Sequence, residues 1–119
     1  VTEITLPWPP KELSPNARVH WAKLAATKKA YRIECGWQTK SQGAELTATD
    51  RPMRLEVVFH KPNRRDMDRD NLLARMKSGL DGVCDALGVN DRLFDPITIS
   101  VADTVGGFVK LRIFEEHDQ

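Results

Sequence analysis

The segment Arg64-Arg65-Asp66-Met67-Asp68-Arg69-Asp70-Asn71-Leu72 sets three aspartates at alternating positions among three arginines. In an extended chain, alternation turns Asp66, Asp68 and Asp70 to one side. Carboxylate oxygens are the preferred ligands of magnesium, which takes one or two of them and fills its other positions with water and phosphate oxygen. Arg64, Arg65 and Arg69 are placed to hold a phosphodiester beside such an ion. A structural alternative exists. Aspartate is a favoured helix N-cap, and acids in a first turn complement the helix dipole. That account needs one or two of these residues, Asp70 and then Asp68.

A helix beginning at about Asp70 would carry more chemistry on one side. At about 100° per residue, Asp70, Lys77 and Asp81 share a stripe that borders the apolar one. A lysine there can contact phosphate or stabilise developing charge. Its alternative is an ion pair between Lys77 and Asp81, worth only about 0.2–0.5 kcal/mol. Beyond the helix, Asn90-Asp91 and Asp95-Pro96 are ordinary turn signals. Asp91 taken alone is a common turn residue.

The elements that must position these groups follow from periodicity. Thr2 to Leu6 alternates as a short strand, and Pro7-Trp8-Pro9-Pro10 ends it. Ser14-Pro15 offers an N-cap and a first helical proline. Ala22, Ala26, Ala30, Ile33 and Trp37 then recur as a core-facing stripe of a helix from about residue 16 to 40, with Lys23, Lys28 and Arg32 off it. Ser41 to Asp50 is a loop. Met53 to His60 is a strand with Leu55, Val57 and Phe59 on one face. The second helix runs from about Asp70 to Leu87, with Leu73, Met76, Leu80, Val83, Cys84 and Leu87 inward and Gly88 at the left-handed C-terminal position. Ile97 to Val105 alternates as a strand, Gly106-Gly107 makes a hairpin, and Phe108 to Phe114 pairs back. The order strand, helix, strand, helix, strand, strand predicts one α+β domain over residues 1–119, a single mixed four-stranded sheet with two main helices.

Length and composition agree with one modest core, 119 residues with 29% charged. No apolar run approaches the roughly 20 residues of a membrane span, and Val1-Thr2-Glu3-Ile4 shows no signal-peptide pattern. Cys35 and Cys84 form neither a disulfide framework nor a zinc motif, so reduced thiols and a cytoplasmic setting are expected. Net charge is only +1, but the bases gather. Residues 11–40 hold Lys11, Arg18, Lys23, Lys28, Lys29, Arg32 and Lys40 against only Glu12 and Glu34. A basic surface beside an acidic cluster suits a polyanion held against a metal.

Taken together, these segments resemble the RusA family of Holliday junction resolvases. Ile4-Thr5-Leu6-Pro7-Trp8-Pro9-Pro10 is similar to its opening strand and proline turn, and Arg65 to Leu72 to its DxDNL signature. Leu80-Asp81-Gly82-Val83 with Asp85-Ala86-Leu87 resembles the later part of its acidic helix, and Val89-Asn90-Asp91 its terminal V-x-D-D. The resemblance spans nearly the whole chain in order. It implies a homodimeric, Mg²⁺-dependent phosphodiesterase acting on four-way DNA junctions in recombination and repair, with Mn²⁺ as a substitute ion and no small-molecule cofactor or membrane partner. It carries the essential aspartates onto Asp68, Asp70 and Asp91. The family lysine falls at Ala74, and Lys77, one turn on, is its substitute. Asn90 replaces the first of the paired aspartates. Small resolvases of this kind often travel on phage or prophage genomes, so a bacterial or phage setting is implied.

On this reading Asp68, Asp70 and Asp91 hold the ion, and Lys77 with Arg64, Arg65 and Arg69 contacts phosphate. Asn16, Arg18, His20, Trp21, Lys23 and Arg32 offer a junction-binding surface. Trp21 either stacks on an unpaired base or lies in the core. Two rivals remain open: a branched-DNA-binding module without catalysis, and a hydrolase of a small phosphorylated substrate. The second helix, at about 18 residues, is roughly 27 Å long. Three residues after Gly88 do not span that length at about 3.5 Å each. Asp91 is therefore expected to join Asp68 and Asp70 of a second subunit, unless the helix breaks near Gly79 or Gly82.

Overall fold

In a computed structural model, which describes residues 1–115, the alternating segments form strands β1 (Thr2–Pro7), β2 (Met53–His60), β3 (Phe94–Val101) and β4 (Phe108–Phe114). The helical segments form α1 (Trp21–Ser41) and α2 (Arg69–Leu87), and one-turn 3₁₀ helices occupy Lys11–Leu13 and Asp91–Leu93. The four strands make one mixed sheet in the order β1-β4-β2-β3. β4 runs antiparallel to both β1 and β2, and β3 runs parallel to β2. The α+β class with two main helices is as expected. No helix among the described residues is long and apolar enough to cross a membrane.

The hairpin expected at Gly106-Gly107 does not form, because β3 and β4 are not neighbours. The segment after β3 instead crosses the end of β2, where the Gly106 and Gly107 amides donate to the Lys61 and His60 carbonyls at 2.8 Å. β4 then enters between β1 and β2 and buries Val109, Leu111 and Ile113 completely. A central position satisfies its backbone on both sides, which a hairpin at the sheet margin would not. β3 also begins earlier and ends earlier than Ile97 to Val105. Its pairing with β2 slips one position around Asp95-Pro96, where proline lacks the amide a regular ladder needs.

Both helices cover one face of the sheet. Met53, Leu55, Val57 and Phe59 of β2 point under them, with Ile4 and Leu6 of β1 beside the buried residues of β4. The opposite face carries Glu3, Glu56, Lys110 and Arg112, joined by ion pairs of 3.1–3.4 Å.

α1 departs most from expectation. It starts at Trp21, and its N-cap is His20, whose Nδ1 accepts from the Ala22 amide, so Ser14 is not its cap. Ser14 ends the first 3₁₀ turn instead. The buried stripe is Tyr31, Cys35 and Thr39, with Leu24 partly covered, and not the alanine series ending in Ile33 and Trp37. Ile33 and Trp37 are 61% and 65% exposed. The reason is the approach of α2. Tyr31 lies against Met76 and Gly79, while Arg32 and Gly36 lie against Gly82, so the helices run in the same direction in close contact. A Cβ on Gly36 would stand 3.1 Å from the Gly82 carbonyl oxygen, and one on Gly82 would overlap the Arg32 carbonyl. Only the side of α1 that carries Tyr31 and Cys35 can meet a surface so near.

α2 is continuous through Gly79 and Gly82, which removes the broken-helix alternative. It ends at Gly88, with φ +70° and ψ 34°, as the sequence predicts. Substituting Gly82 by Ala should therefore destabilise the fold by about 1–3 kcal/mol through overpacking against backbone. Gly88→Ala, with open space around its Cβ, should lose about 1 kcal/mol from its left-handed backbone alone. Urea denaturation of the two variants checks the ranking. Equal midpoints would mean that the helices part easily.

Candidate active site

The first turns of α2 follow β2 through a loop whose charges face outward. Arg64, Arg65, Asp66 and Arg69 are exposed. The loop is folded on itself, with the Lys61 ammonium donating to the Arg65 carbonyl at 2.8 Å and the Arg65 amide to Asn63 Oδ1 at 3.0 Å. The extended alternation stops at Asp68. That residue is the N-cap of α2, and its Oδ1 accepts from the Asp70 amide at 2.8 Å. Asp70 stands in the first helical turn and does not cap.

From Asp70 the predicted stripe continues through Lys77 and Asp81 and forms one wall of a cleft of about 620 Å³. Leu13 and Pro15 and, from α1, Lys28 line the opposite side. Leu73, Ala74, Arg75 and Ser78 complete the α2 wall. The proline turn is fastened here. Arg75 donates to the Pro9 carbonyl at 2.7 Å with its guanidinium over Trp8, and Tyr31 donates to the Pro7 carbonyl at 2.7 Å. The Ser78 hydroxyl in this wall is shielded from solvent and has no hydrogen-bond partner among the described residues. Periodicity alone would place Lys28 and Ser78 on helix surfaces. The facing of α1 and α2 that brings both to the cleft is a tertiary fact.

Lys77 bridges two acids. Its ammonium is 2.5 Å from Asp91 Oδ2 and 3.3 Å from Asp81 Oδ1. The hydrogen bond to Asp91 is the main cause that raises the lysine pKa, and the same bond holds the Asp91 carboxyl below the usual range. Asp91 thus returns within its own chain to the middle of α2. The expectation that so short a loop leaves it at the far end of the helix is corrected to that extent. It still lies beside Lys77, seven residues or about 10 Å along the axis from Asp70. Among the described residues, no three acid, histidine or cysteine side chains are gathered closely enough to hold one ion.

The lead-in to α1 is open to solvent. Asn16, Arg18, His20 and Lys23 are exposed, and Trp21 is 75% exposed. Of the two alternatives for Trp21, the core is excluded. Arg32 differs from its neighbours, because its guanidinium makes a two-pronged pair with Asp85 at 2.7 and 2.9 Å. Its charge ties α1 to α2 and is locally neutralised. Neither cysteine is poised as a nucleophile, since burial pushes both thiols up to about 12.

The Arg32–Asp85 pair should show a small favourable coupling in a double-mutant cycle with alanine at both positions, read by urea denaturation at pH 7. The hydrogen bond from Arg32 depresses the Asp85 pKa. The coupling should therefore be present above the ordinary carboxylate pKa of about 3.9 and disappear as pH falls through the lowered value. Coupling that persists in strong acid would contradict the pair.

No family model matches the chain. It is 43% identical over 98 residues to a protein of Xylella fastidiosa (strain Temecula1 / ATCC 700964) described as an uncharacterized protein. The match covers 76% of this chain and 61% of that relative, so the chain spans about three fifths of the length of the protein it resembles.

Proposed function

We propose that this chain is a RusA-like crossover junction endonuclease that hydrolyses phosphodiesters of four-way DNA with the help of Mg²⁺. The observation that carries the reading is one open cleft that combines Asp70, Asp81, Lys28 and Lys77 beside the outward arginines of the 64–69 loop. Small-substrate chemistry fits less well, because the exposed bases extend beyond the cleft along the lead-in to α1. The setting proposed is the cytoplasm of a bacterium or of a phage-infected cell.

Asp68 and Asp70 are adjacent and exposed, and two carboxylates with water and phosphate oxygen suit magnesium or manganese. When bound, the ion supplies an activated water and neutralises charge on the phosphate. Lys28 and Lys77 hold the phosphate from either side of the cleft. Arg64, Arg65 and Arg69 bind the flanking backbone. Arg18 and Lys23 extend that surface, and Trp21 offers a stacking face. Asp91 restrains Lys77 in the single chain, and the third carboxylate of the site is proposed to come from a second subunit.

One observation favours a binding module without catalysis. Asp68 is occupied as a helix cap and Asp91 as the partner of Lys77. Cleavage of a mobile four-way junction with and without Mg²⁺ separates the two readings. Asp70→Asn should abolish cleavage and leave junction binding intact, since the amide keeps the shape and loses the charge. Lys23→Glu and Lys28→Glu should each flatten the log–log salt dependence of binding, by about 0.9 for every duplex phosphate that is no longer neutralised. Cleavage retained in Asp70→Asn, or none by the unmodified chain with Mg²⁺, sinks the nuclease reading.

A further inference from the structure

The most apolar side of α1 is the one that α2 does not cover. Ala22, Ala26, Ala30, Ile33 and Trp37 are all exposed. The Trp37 ring makes no aromatic or cation contact among the described residues. Adjoining large apolar groups in solvent mark interaction sites. Beside them, the close approach of Gly36 to Gly82 leaves a groove of about 480 Å³. Ile33, Gly36 and Trp37 form its α1 side, and Gly82 and Ala86 belong to its α2 side. These residues present apolar surface, which suits apolar anchors.

The rim of the groove is charged. Lys29 and Lys40 stand at the two ends of its α1 side, eleven residues or about 16 Å apart along the helix. Neither has an ion pair among the described residues, whereas Arg32 between them is neutralised by Asp85. The groove is also preformed. The Arg32–Asp85 pair bridges its two walls. The end of α1 is fastened to β1, where the Thr5 amide donates to Gln42 Oε1 at 2.8 Å and the Gln42 amide group donates back to the Thr5 carbonyl at 2.7 Å. A surface already held in place has little ordering left to undergo when a partner arrives.

We infer that this groove docks an acidic amphipathic helix of another protein, with its apolar stripe over Ile33, Gly36 and Trp37 and an acid at each end on Lys29 and Lys40. A helix lying along α1 shares its period, so acids eleven residues apart enclose apolar residues four and seven positions after the first. Charge selects this occupant. A two-fold contact between copies of this chain lays the patch on itself, so Lys29 and Lys40 would face lysines. A nucleic acid strand following the groove would pass the Asp85 carboxylate, and the apolar floor offers its phosphates no donor. The inference does not rest on the nuclease reading, because the groove and the cleft of Asp70 and Lys77 share no residue.

The probe is a synthetic, end-capped helical peptide with two leucines three residues apart and a glutamate four residues outside each, the spacing of Lys29, Ile33, Gly36 and Lys40. Titrated into the isotope-labelled chain, it should shift the amide resonances of Ile33, Gly36, Trp37, Gly82 and Ala86 and leave those of Asp70 and Lys77 in place. Trp37→Ala should lose the binding with an unchanged circular dichroism spectrum, since that side chain is exposed. Lys29→Glu with Lys40→Glu should weaken it about tenfold and should accept instead the peptide that carries lysine for glutamate. If Trp37→Ala does not fold, this exchange of charge decides alone. No shift at millimolar peptide, shifts confined to other residues, or equal affinity for both peptides overturns the docking site. Oligothymidylate that moves the groove resonances where the peptide does not would assign the surface to nucleic acid, and a mass in solution that halves in Trp37→Ala would assign it to a second copy. Either result also overturns the inference.

Discussion

The approach of Gly82 to the Arg32 carbonyl is the constraint on which the rest of the molecule depends. With a side chain at that point the helices would stand apart, and the ring of Tyr31 would no longer fill the space against Gly79 while its hydroxyl reaches the Pro7 carbonyl. The same closeness sets Lys28 across from α2 and gives the cleft two charged walls. Arg75 then fastens the proline turn to one of them through Pro9 and Trp8. A site assembled from a turn and two helices thus inherits its width from one backbone approach without side chains.

In and around the cleft, charge is distributed by occupation. Asp68 spends its near oxygen on a helix amide, Arg32 is committed to Asp85, and Lys77 lies between Asp81 and Asp91. Asp70 and Lys28 line the cleft with no ion pair among the described residues. Of the two lysines, one is already balanced by acids and one is not, so Lys28 would be the stronger attractor for any anion entering the cleft.

The sheet is legible in the sequence wherever the period is two. β2 alternates cleanly and its expected limits match the observed ones, because its polar face meets solvent and ion pairs. α2 is legible for a similar reason, an apolar stripe against one surface with a glycine at its end. α1 misleads because its buried side is not its most apolar side. Thr39 is fully buried, with its hydroxyl satisfied by the Cys35 carbonyl at 2.8 Å, whereas Trp37 and Ile33 stand in solvent. The strand order is illegible because Gly106-Gly107 is a local signal, and whether β4 returns beside β3 or beyond β2 is settled by which neighbour completes its ladder. The stripe of Asp70, Lys77 and Asp81 is readable from helical geometry. The return of Asp91 to Lys77 depends on the path of a short loop and is not.

The glutamine that covers Thr5 has a consequence for assembly. One side-chain amide, 37 residues away in sequence, imitates the donor and acceptor of an absent strand. With Pro7 lacking an amide, Glu3 is the one residue of β1 whose outward backbone groups have no partner among the described residues. A further strand finds no continuous ladder on this border, which discourages growth of the sheet along the hydrogen-bonding direction there.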